Sequence, residues 1–316
     1  MKVAIEPDFV AEFAEAVASV GGEPCLIDPG VTALIWTDYH QPNLLAKVLA
    51  DNPQISWLQL PFAGVDAFQN IVRRSDITIT CAKGAYRQPV AEHALALCLA
   101  LGRAIPERVL ASSWGEKFAV SLYESRVLVI GGGGIAEELV LLLKPFGCHV
   151  TVVRDNSTKK LGDKTISFSE LDSVLPEHDF VVIAAALTDA TRGMFDLDRF
   201  SRMKNTAYLV NVARGAHVVT DDLVRALEEG LIAGAAIDVT DPEPLPLGHA
   251  LWNNPKCIVT PHTADTPAQV TRMLANRIRE NTLAFLGQGP WVFFGIVRPV
   301  VHSSVAQLAE QSAVNR

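Results

Sequence analysis

The sequence predicts an α/β fold built from two parallel-sheet units. Three observations point to it. Short apolar runs alternate with segments of helical spacing in the first hundred residues, the same alternation resumes near residue 126, and an apolar helix-forming segment lies between the two series. Strands that are covered by helices on both faces appear as uninterrupted apolar runs, and most of these runs have that character.

The first series is short. The segment at residues 43–50, between its second and third apolar runs, has helical spacing. The series therefore predicts a small parallel α/β unit. Its predicted strands cover residues 3–5, 33–36, 55–60 and 77–80.

The segment between the two series, residues 90–101, is rich in strong helix formers and ends near Gly102. It is too short to cross a bilayer. We therefore predict a buried helix that joins two domains. His93 lies within this helix, and we interpret it as a core or capping histidine.

The second series is longer and contains six apolar runs separated by helical patterns. This number of strands predicts a doubly wound parallel sheet. The predicted strands cover residues 126–130, 150–153, 180–183, 208–211, 235–238 and 257–260.

Composition and charge exclude several classes of protein. The chain has 316 residues and a formal charge of -8, which gives no positive field for nucleic acid or an anionic membrane. Glu6 follows the start too soon for a secretory signal, and no uncharged apolar run reaches the length of a membrane span. Five widely spaced cysteines form no CxxC pair, so we expect reduced thiols and no metal site. We predict a cytoplasmic protein with a small-molecule partner.

A glycine-rich segment at residues 131–136 follows the predicted strand 126–130 and opens a helical run. It fits the G-x-G-x-x-G/A pattern of Rossmann dinucleotide-binding domains: Gly131 permits a tight turn, Gly133 lets the backbone approach a pyrophosphate, and Ala136 is small enough for helix packing. The start of the helix supplies N–H donors. The predicted cofactor-binding residues of this turn are Gly131, Gly133, Gly134 and Ile135.

The end of the next predicted strand bears on the choice of cofactor. An NAD site places an acidic residue there for the ribose hydroxyl, whereas this strand is followed by Arg154. A guanidinium can pair with the 2′-phosphate of NADP or stack on the adenine. NADP is therefore favoured over NAD. Asp155 keeps the alternative open, because a register one residue later would place a carboxylate at this position.

An arginine, a carboxylate and a histidine follow three later strands, at Arg214, Glu243 and His262. The carboxyl ends of parallel strands meet at one edge of the sheet, so these groups should converge. A histidine beside a carboxylate can deliver a proton to a carbonyl oxygen, and an arginine can hold a substrate carboxylate. Taken singly, each residue also has an ordinary structural interpretation.

Together these segments resemble the D-isomer-specific 2-hydroxyacid dehydrogenases, over about residues 55–285. The resemblance implies that Arg214 binds and orients substrate, that Glu243 pairs with His262, and that His262 is the general acid in reduction and the general base in oxidation. It implies that Asp238 holds the nicotinamide carboxamide and that Ala213 and Ala264 line the ring. The matching segments are residues 131–136, 187–193, 211–215, 238–245 and 260–264.

The resemblance also extends to the first unit. Residues 62–66 look like the family loop whose backbone N–H groups bind the substrate carboxylate, which makes Ala63 and Gly64 candidate substrate-binding residues. Arg87 is a further candidate for substrate charge, with a solvated loop arginine as the alternative.

Family topology implies a Rossmann nucleotide-binding domain inserted into a smaller flavodoxin-like substrate domain. The expected boundaries place residues 1–97 and 285–316 in the substrate domain and residues 98–284 in the dinucleotide-binding domain. Family members are usually homodimers, and Trp114 is a candidate for that interface, or packs on its own core. Residues 303–316 are polar and weakly amphipathic, and we expect either a short helix or disorder.

The implied activity is hydride transfer between NAD(P)H and a small 2-oxo acid or D-2-hydroxy acid. Because NADP favours reduction, glyoxylate or hydroxypyruvate is the expected substrate. A phosphoglycerate dehydrogenase is less expected from the length, and a formate dehydrogenase is disfavoured because it would not keep an acidic partner such as Glu243. The alternative from another class is an NAD(P)-sensing binding protein of the same fold, similar to a corepressor, without turnover.

Overall fold

The computed structural model describes residues 1–74, 76–155 and 160–292 and contains two parallel β-sheets. The predicted tail at 303–316 lies outside the described residues. The first sheet contains β1 (Lys2–Glu6), β2 (Glu23–Cys25), β3 (Ala33–Trp36), β4 (Trp57–Gln59) and β5 (Thr78–Thr80). The second contains β6 (Arg126–Ile130), β7 (His149–Val153), β8 (Lys164–Ile166), β9 (Phe180–Ile183), β10 (Tyr208–Asn211), β11 (Gly234–Ile237) and β12 (Cys257–Val259).

Helices connect most consecutive strands, as crossover connections between parallel strands require. In chain order they are α1 (Ala11–Ala18), α2 (Pro42–Asp51), α3 (Gln69–Val72), α4 (Arg87–Gly102), α5 (Ile105–Leu110), α6 (Gly134–Leu143), α7 (Leu171–Val174), α8 (Leu197–Arg202), α9 (Thr220–Glu228) and α10 (Pro267–Phe285).

The strand orders confirm the predicted fold class. The first sheet has the order β2-β1-β3-β4-β5, which is the flavodoxin-like arrangement. The second has the order β12-β11-β10-β9-β6-β7-β8, which is the Rossmann order with a seventh strand at one edge. Strand order reverses between β6 and β9, and in such sheets ligands bind outside the carboxyl ends of the strands at that point.

The second sheet is buried on both faces. Alternate residues of β6 divide between two cores: Leu128 and Ile130 pack on one face, and Val127 and Val129 pack on the other. All four side chains are fully buried. Successive side chains of a strand point to opposite faces, so a strand covered by helices on both sides must be apolar throughout.

The described residues divide into two compact units, one formed by Met1–Tyr86 with residues 267–292, and the other by Arg87–Thr266. Both boundaries come earlier than expected, since 97/98 falls inside α4 and 284/285 falls inside α10. The reason is packing: α4 lies against α6 and β10 of the second unit, and α10 lies against α1 of the first. A whole helix belongs to the unit on which its apolar face packs.

Two strands were missed by the sequence analysis, and both lie at sheet edges. β2 contains Pro24 and is only partly buried, and β8 begins with the exposed Lys164. Edge strands tolerate proline and charge because one side of their backbone forms no ladder. Neither strand therefore shows the apolar run on which the predictions depended.

Two kinds of feature are absent from the described residues. In the part of the chain that the structure describes, no helix has the length and apolar character to cross a membrane. Within the same residues, no group of three or more His, Cys, Asp or Glu side chains is arranged to hold a metal ion.

Candidate active site

The turn between β6 and α6 requires glycine at its first position, and the Arg154 side chain lies over the second. Gly131 has φ +114°, a conformation that favours glycine, and an added Cβ would lie 2.4 Å from the carbonyl oxygen of Ala184. An added Cβ at Gly132 would lie 2.7 Å from Nε of Arg154. The Ala184 backbone and the Arg154 side chain therefore pack closely against this turn.

The next residue faces open space. An added Cβ at Gly133 would meet no atom within 4 Å, and Gly133 directly precedes the ten residues of α6. The first N–H groups of a helix have no partner within the helix, and its dipole places positive charge at the same end. A glycine cradle with open space and N–H donors in front of it fits a pyrophosphate, so these residues fit the dinucleotide that the motif implies.

Arg154 is the first residue after β7. Its backbone N–H donates to the carbonyl oxygen of Ile166 at 2.9 Å, and its half-buried side chain lies over Gly132. Asp155, the next residue, is exposed. The side chain that borders the glycine turn at the end of β7 is therefore a cation.

Arg214 follows β10 in a loop that packs closely on the segment after β11. An added Cβ at Gly215 would lie 1.9 Å from the carbonyl carbon of Thr240, so no larger residue fits there. Nη1 of Arg214 donates to the carbonyl oxygen of Ala213 at 2.7 Å, and Nδ2 of Asn211 donates to the carbonyl oxygen of Arg214 at 2.9 Å. These contacts fix the arginine at the carboxyl edge of the sheet.

Asp238 is the buried centre of this edge. Its side chain is fully buried, and its Oδ1 accepts hydrogen bonds from Oγ1 of Thr260 at 2.6 Å and from the N–H of Thr263 at 2.9 Å. Its Oδ2 accepts from the N–H of Ala264 at 3.1 Å. Burial raises the pKa of Asp238, but the hydrogen bonds from His93, Thr260 and Thr263 outweigh it and hold the pKa below its ordinary value.

His262 has an unusual backbone conformation. Its φ is +49°, in the left-handed region that costs a residue with a side chain about 1 kcal/mol or more. Its N–H donates to the carbonyl oxygen of Asp238 at 2.8 Å, and the next two N–H groups bind the Asp238 carboxylate. Asp238 therefore holds the chain on both sides of the strained residue.

The His262 side chain forms a charge-assisted pair with Glu243. Nδ1 of His262 lies 2.6 Å from Oε1 of Glu243, and both side chains are about half exposed. A carboxylate only accepts hydrogen bonds, so Nδ1 carries the proton of this contact. Nε2 is then the ring nitrogen that gains or loses a proton.

The pair shifts both pKa values toward the charged forms. The hydrogen bond to Glu243 raises the pKa of His262 above its ordinary value, although burial and Arg214 oppose it. The same hydrogen bond lowers the pKa of Glu243, with a smaller contribution from Arg214. The arrangement can supply a proton from a histidine beside a fixed arginine.

Within the first unit, the loop after β4 is held by hydrogen bonds. The N–H of Ala82 donates to the carbonyl oxygen of Phe62 at 3.1 Å, and the hydroxyl of Tyr86 donates to the carbonyl oxygen of Pro61 at 2.8 Å. No acceptor among the described residues takes the N–H groups of Ala63 and Gly64. The loop is held in place while these two donors stay available.

Arg87 lies at the start of a helix rather than in a loop. It is the first residue of α4, its Nε lies 2.9 Å from Oε1 of Glu138, and its aliphatic carbons border Gly134. Its guanidinium is therefore engaged within the second unit, beside the start of α6. A substrate-binding role for Arg87 stays a prediction.

Three residues of this edge were missed by the sequence analysis. Thr260 was quoted only as part of a motif, and Asp265 was not considered, although burial raises its pKa and it lies near His262. His93 was interpreted as a core or capping residue, but its Nε2 lies 3.1 Å from Oγ1 of Thr260 and 3.3 Å from Oδ1 of Asp238. The sequence carries no signal for a contact between residues this far apart in the chain.

Comparison with known proteins identifies the family. The model of the D-isomer specific 2-hydroxyacid dehydrogenase NAD binding domain matches residues 94–264, which lie within the second unit. The chain belongs to the D-isomer specific 2-hydroxyacid dehydrogenase family. Membership makes it an NAD(P)-dependent oxidoreductase of the 2-hydroxyacid type.

Relatives of this 2-hydroxyacid dehydrogenase extend the match beyond that domain. Glyoxylate reductase/hydroxypyruvate reductase of Homo sapiens is 30% identical over 297 residues, which cover 90% of this chain and 87% of the relative. An uncharacterized protein in the proB 3′ region of Corynebacterium melassecola is 36% identical over 255 residues, which cover 77% of this chain and 83% of the relative.

A solved structure supports the same family fold. The D-isomer specific 2-hydroxyacid dehydrogenase from Xanthobacter autotrophicus Py2, in complex with NADPH and MES, matches with a TM-score of 0.77 and 26% identity. The match covers 92% of this chain and 96% of that one. The predicted family is thus confirmed.

Proposed function

We propose that this protein is an NADPH-preferring reductase of small 2-oxo acids that uses Arg214, Glu243 and His262. The observation that carries the proposal is the 2.6 Å hydrogen bond between His262 and Glu243, beside an arginine and at the same sheet edge as the glycine turn. The nicotinamide, when bound, supplies the hydride that reduces the carbonyl carbon.

His262 supplies the proton of the reduction. Nδ1 keeps its proton and donates it to Glu243, so the second proton of the imidazolium is on Nε2 and is available to a carbonyl oxygen. Loss of that proton leaves a neutral imidazole that can accept a proton in the reverse reaction. Glu243 fixes the ring orientation and stabilises the imidazolium. A formate dehydrogenase has no use for this proton, and the pair therefore supports a 2-oxo acid as substrate.

Arg214 binds the carboxylate of the substrate and polarises its carbonyl group. A guanidinium offers paired donors that match a carboxylate, and its positive charge stabilises negative charge on a reacting oxygen. Asp238 and the residues Ala213 and Ala264 form the proposed nicotinamide site. Oδ2 of Asp238 accepts one hydrogen bond from the described residues and keeps acceptor capacity for a carboxamide N–H₂.

Arg154 provides the preference for NADPH over NADH. It borders the glycine turn at the end of the strand where an NAD-specific site has an acidic residue. The complex of the Xanthobacter relative with NADPH supports the same cofactor. Since cells use NADPH for reductions, the proposed direction is from oxo acid to hydroxy acid.

Glyoxylate and hydroxypyruvate are the proposed substrates, because the human relative is named for these activities. Ala63 and Gly64, whose N–H groups stay available, are the proposed further donors to a substrate carboxylate. Residues 1–97 with 285–316 and residues 98–284 remain our proposed substrate and dinucleotide-binding domains. A cytoplasmic location stays a prediction.

We also propose a homodimer. The segment from α5 to β6 exposes an unusual number of large apolar side chains, with Leu110 80% exposed and Trp114 92% exposed. Large exposed apolar side chains are typical of an interaction site when they lie together on the surface. The other large apolar residues that this segment exposes are Ile105, Val109, Phe118, Val120 and Tyr123.

The test is the oxidation of NADPH and NADH, followed by absorbance, with glyoxylate, hydroxypyruvate, pyruvate and phenylpyruvate. Faster turnover with NADPH on one of the small acids is the expected result. Tight cofactor binding without turnover on any acid would contradict the proposal and favour a cofactor-sensing binding protein. Faster turnover with NADH would support the reductase activity but contradict the assignment of Arg154 as the residue that selects NADPH.

A further inference from the structure

Helix α4 brings a histidine into the buried centre of the candidate active site. His93 lies in the second turn of α4, which packs on α6, β10 and β11 of the second unit. Its side chain is 20% exposed, and its Nε2 contacts both Oγ1 of Thr260 and Oδ1 of Asp238. The helix that carries it is otherwise apolar on its buried side.

The hydrogen positions of this cluster are determined by its chemistry. A threonine hydroxyl has one proton, and that of Thr260 is donated to Asp238 at 2.6 Å. Thr260 therefore accepts at its 3.1 Å contact with His93, and Nε2 must be the donor. The ionised Asp238 also only accepts, so both contacts of His93 require a proton on Nε2.

The Nε2–H of His93 contacts the Asp238 carboxylate, which holds the backbone around His262. Asp238 holds the N–H groups of Thr263 and Ala264 with its carboxylate and the N–H of His262 with its carbonyl oxygen. The left-handed backbone of His262 persists only where its surroundings impose it. Any rotation of the Asp238 carboxylate would release the two N–H groups that follow His262.

We propose that His93 is a positioning residue, whose Nε2–H fixes the Asp238 carboxylate and the Thr260 hydroxyl and thereby the loop that carries His262. By engaging Oδ1, it leaves Oδ2 directed toward Ala264 and available for the nicotinamide carboxamide. The inference rests on the proposed function, since it assigns Asp238 and Ala264 to the nicotinamide site. His93 itself transfers no proton to substrate.

Two substitutions distinguish the effect of losing the N–H donor of His93 from the effect of losing the volume of its ring. His93→Phe keeps a planar ring and removes the N–H, while His93→Gln keeps an N–H donor at a similar reach. Glu92→Gln is the matched control, since Glu92 is exposed on the same helical turn. The readouts are the Kd for NADPH and NADH from fluorescence quenching, the melting temperature, and kcat and KM for the 2-oxo acid.

We expect His93→Phe to raise the cofactor Kd about tenfold and to lower kcat about tenfold, as for loss of one hydrogen bond to a charged group. The KM for the 2-oxo acid should change little. His93→Gln should recover most of both losses, and Glu92→Gln should behave as the wild type. Unchanged cofactor binding in His93→Phe, or equal losses in both His93 variants, would overturn the proposal.

A measurement on the wild-type protein keeps the proposal testable if His93→Phe does not fold. Long-range ¹H–¹⁵N NMR of histidine-labelled protein reports which ring nitrogen carries the proton, with His93 assigned by comparison to His93→Gln. A proton on Nε2 is expected, and a neutral ring protonated only on Nδ1 would overturn the proposal. If the wild type binds cofactor but reduces no 2-oxo acid, the proposed function is refuted. The role of His93 is still decided in that case, by the cofactor Kd values of the wild type and its variants and by the ring nitrogen that carries the proton.

Discussion

Nδ1 of His262 donates a 2.6 Å hydrogen bond to Oε1 of Glu243, and this contact raises the pKa of the histidine above its ordinary value. The proposed reduction needs the protonated histidine, so we expect activity below that pKa and its loss as the pH rises through it. The pair therefore extends the pH range of reduction upward, and the same shift delays oxidation to higher pH.

Replacing Glu243 by Gln tests this relationship. The neutral amide no longer favours the imidazolium, so the falling limb of kcat/KM for reduction should move to lower pH. At pH 8 we expect a loss of about tenfold or more, with a smaller loss at pH 6. The measurement is the pH profile of kcat/KM. If the falling limb stays at the same pH and kcat/KM is lowered equally at every pH, the role assigned to Glu243 is contradicted.

His262→Ala should reduce kcat by about a hundredfold to ten-thousandfold, the usual contribution of a general acid. Cofactor affinity should remain nearly unchanged, because the Asp238 carboxylate is held by backbone N–H groups that the substitution keeps. Cofactor titration and steady-state kinetics on the same preparation provide the test. If kcat and cofactor affinity fall by the same factor, His262 has a structural role rather than a catalytic one.

Arg154→Asp should reverse the cofactor preference. It removes the cation that borders the glycine turn and places there the acidic group that binds a ribose hydroxyl. We expect the ratio of kcat/KM for NADPH to that for NADH to fall about tenfold to a hundredfold or more. Lys144→Asp, an exposed site after α6, makes the same change in net charge and should leave the ratio unaltered.

Two glycines of one turn should respond differently to alanine. Gly133→Ala meets open space at an ordinary φ, so the melting temperature should be preserved while a methyl group obstructs the pyrophosphate and raises the cofactor Kd. Gly131→Ala would bring Cβ to 2.4 Å from the carbonyl oxygen of Ala184 at a positive φ, and should lower the free energy of unfolding by about 1–3 kcal/mol. Similar melting temperatures for the two variants would contradict this description of the turn.

Leu110→Glu and Trp114→Glu should separate the proposed dimer. Both side chains are mostly exposed in one chain, so a charge there leaves the fold intact but opposes burial in an interface. Sedimentation velocity should show a wild-type dimer and a shift toward monomer in each variant. Leu247→Glu is the control, because Leu247 is 99% exposed but lies far along the chain from this segment.

Much of the fold followed from the sequence because buried parallel strands and amphipathic helices leave periodic patterns. The same patterns located one sheet edge, because the carboxyl ends of parallel strands meet there. Each of three candidate residues follows a strand with a clear apolar run: Arg154, Arg214 and His262. The edge strands β2 and β8 lack that pattern, and the unit boundaries depend on which unit a helix packs against. The contact between His93 and Thr260 could not be predicted because the two residues lie 167 positions apart and the sequence neighbours of His93 are mostly apolar.

The division of the first unit into two separate stretches of chain has a consequence for biosynthesis. Gln59 is fully buried, and Nδ2 of Asn281 donates to its Oε1 at 2.9 Å across a separation of 222 residues. On the ribosome, the second unit emerges as one continuous stretch and can complete its sheet while Gln59 still waits for this donor. Helix α10 then packs on α1 and completes the first unit. The first unit therefore reaches its final packing only after the whole of the second unit has been synthesised, because α10 follows that unit in the chain.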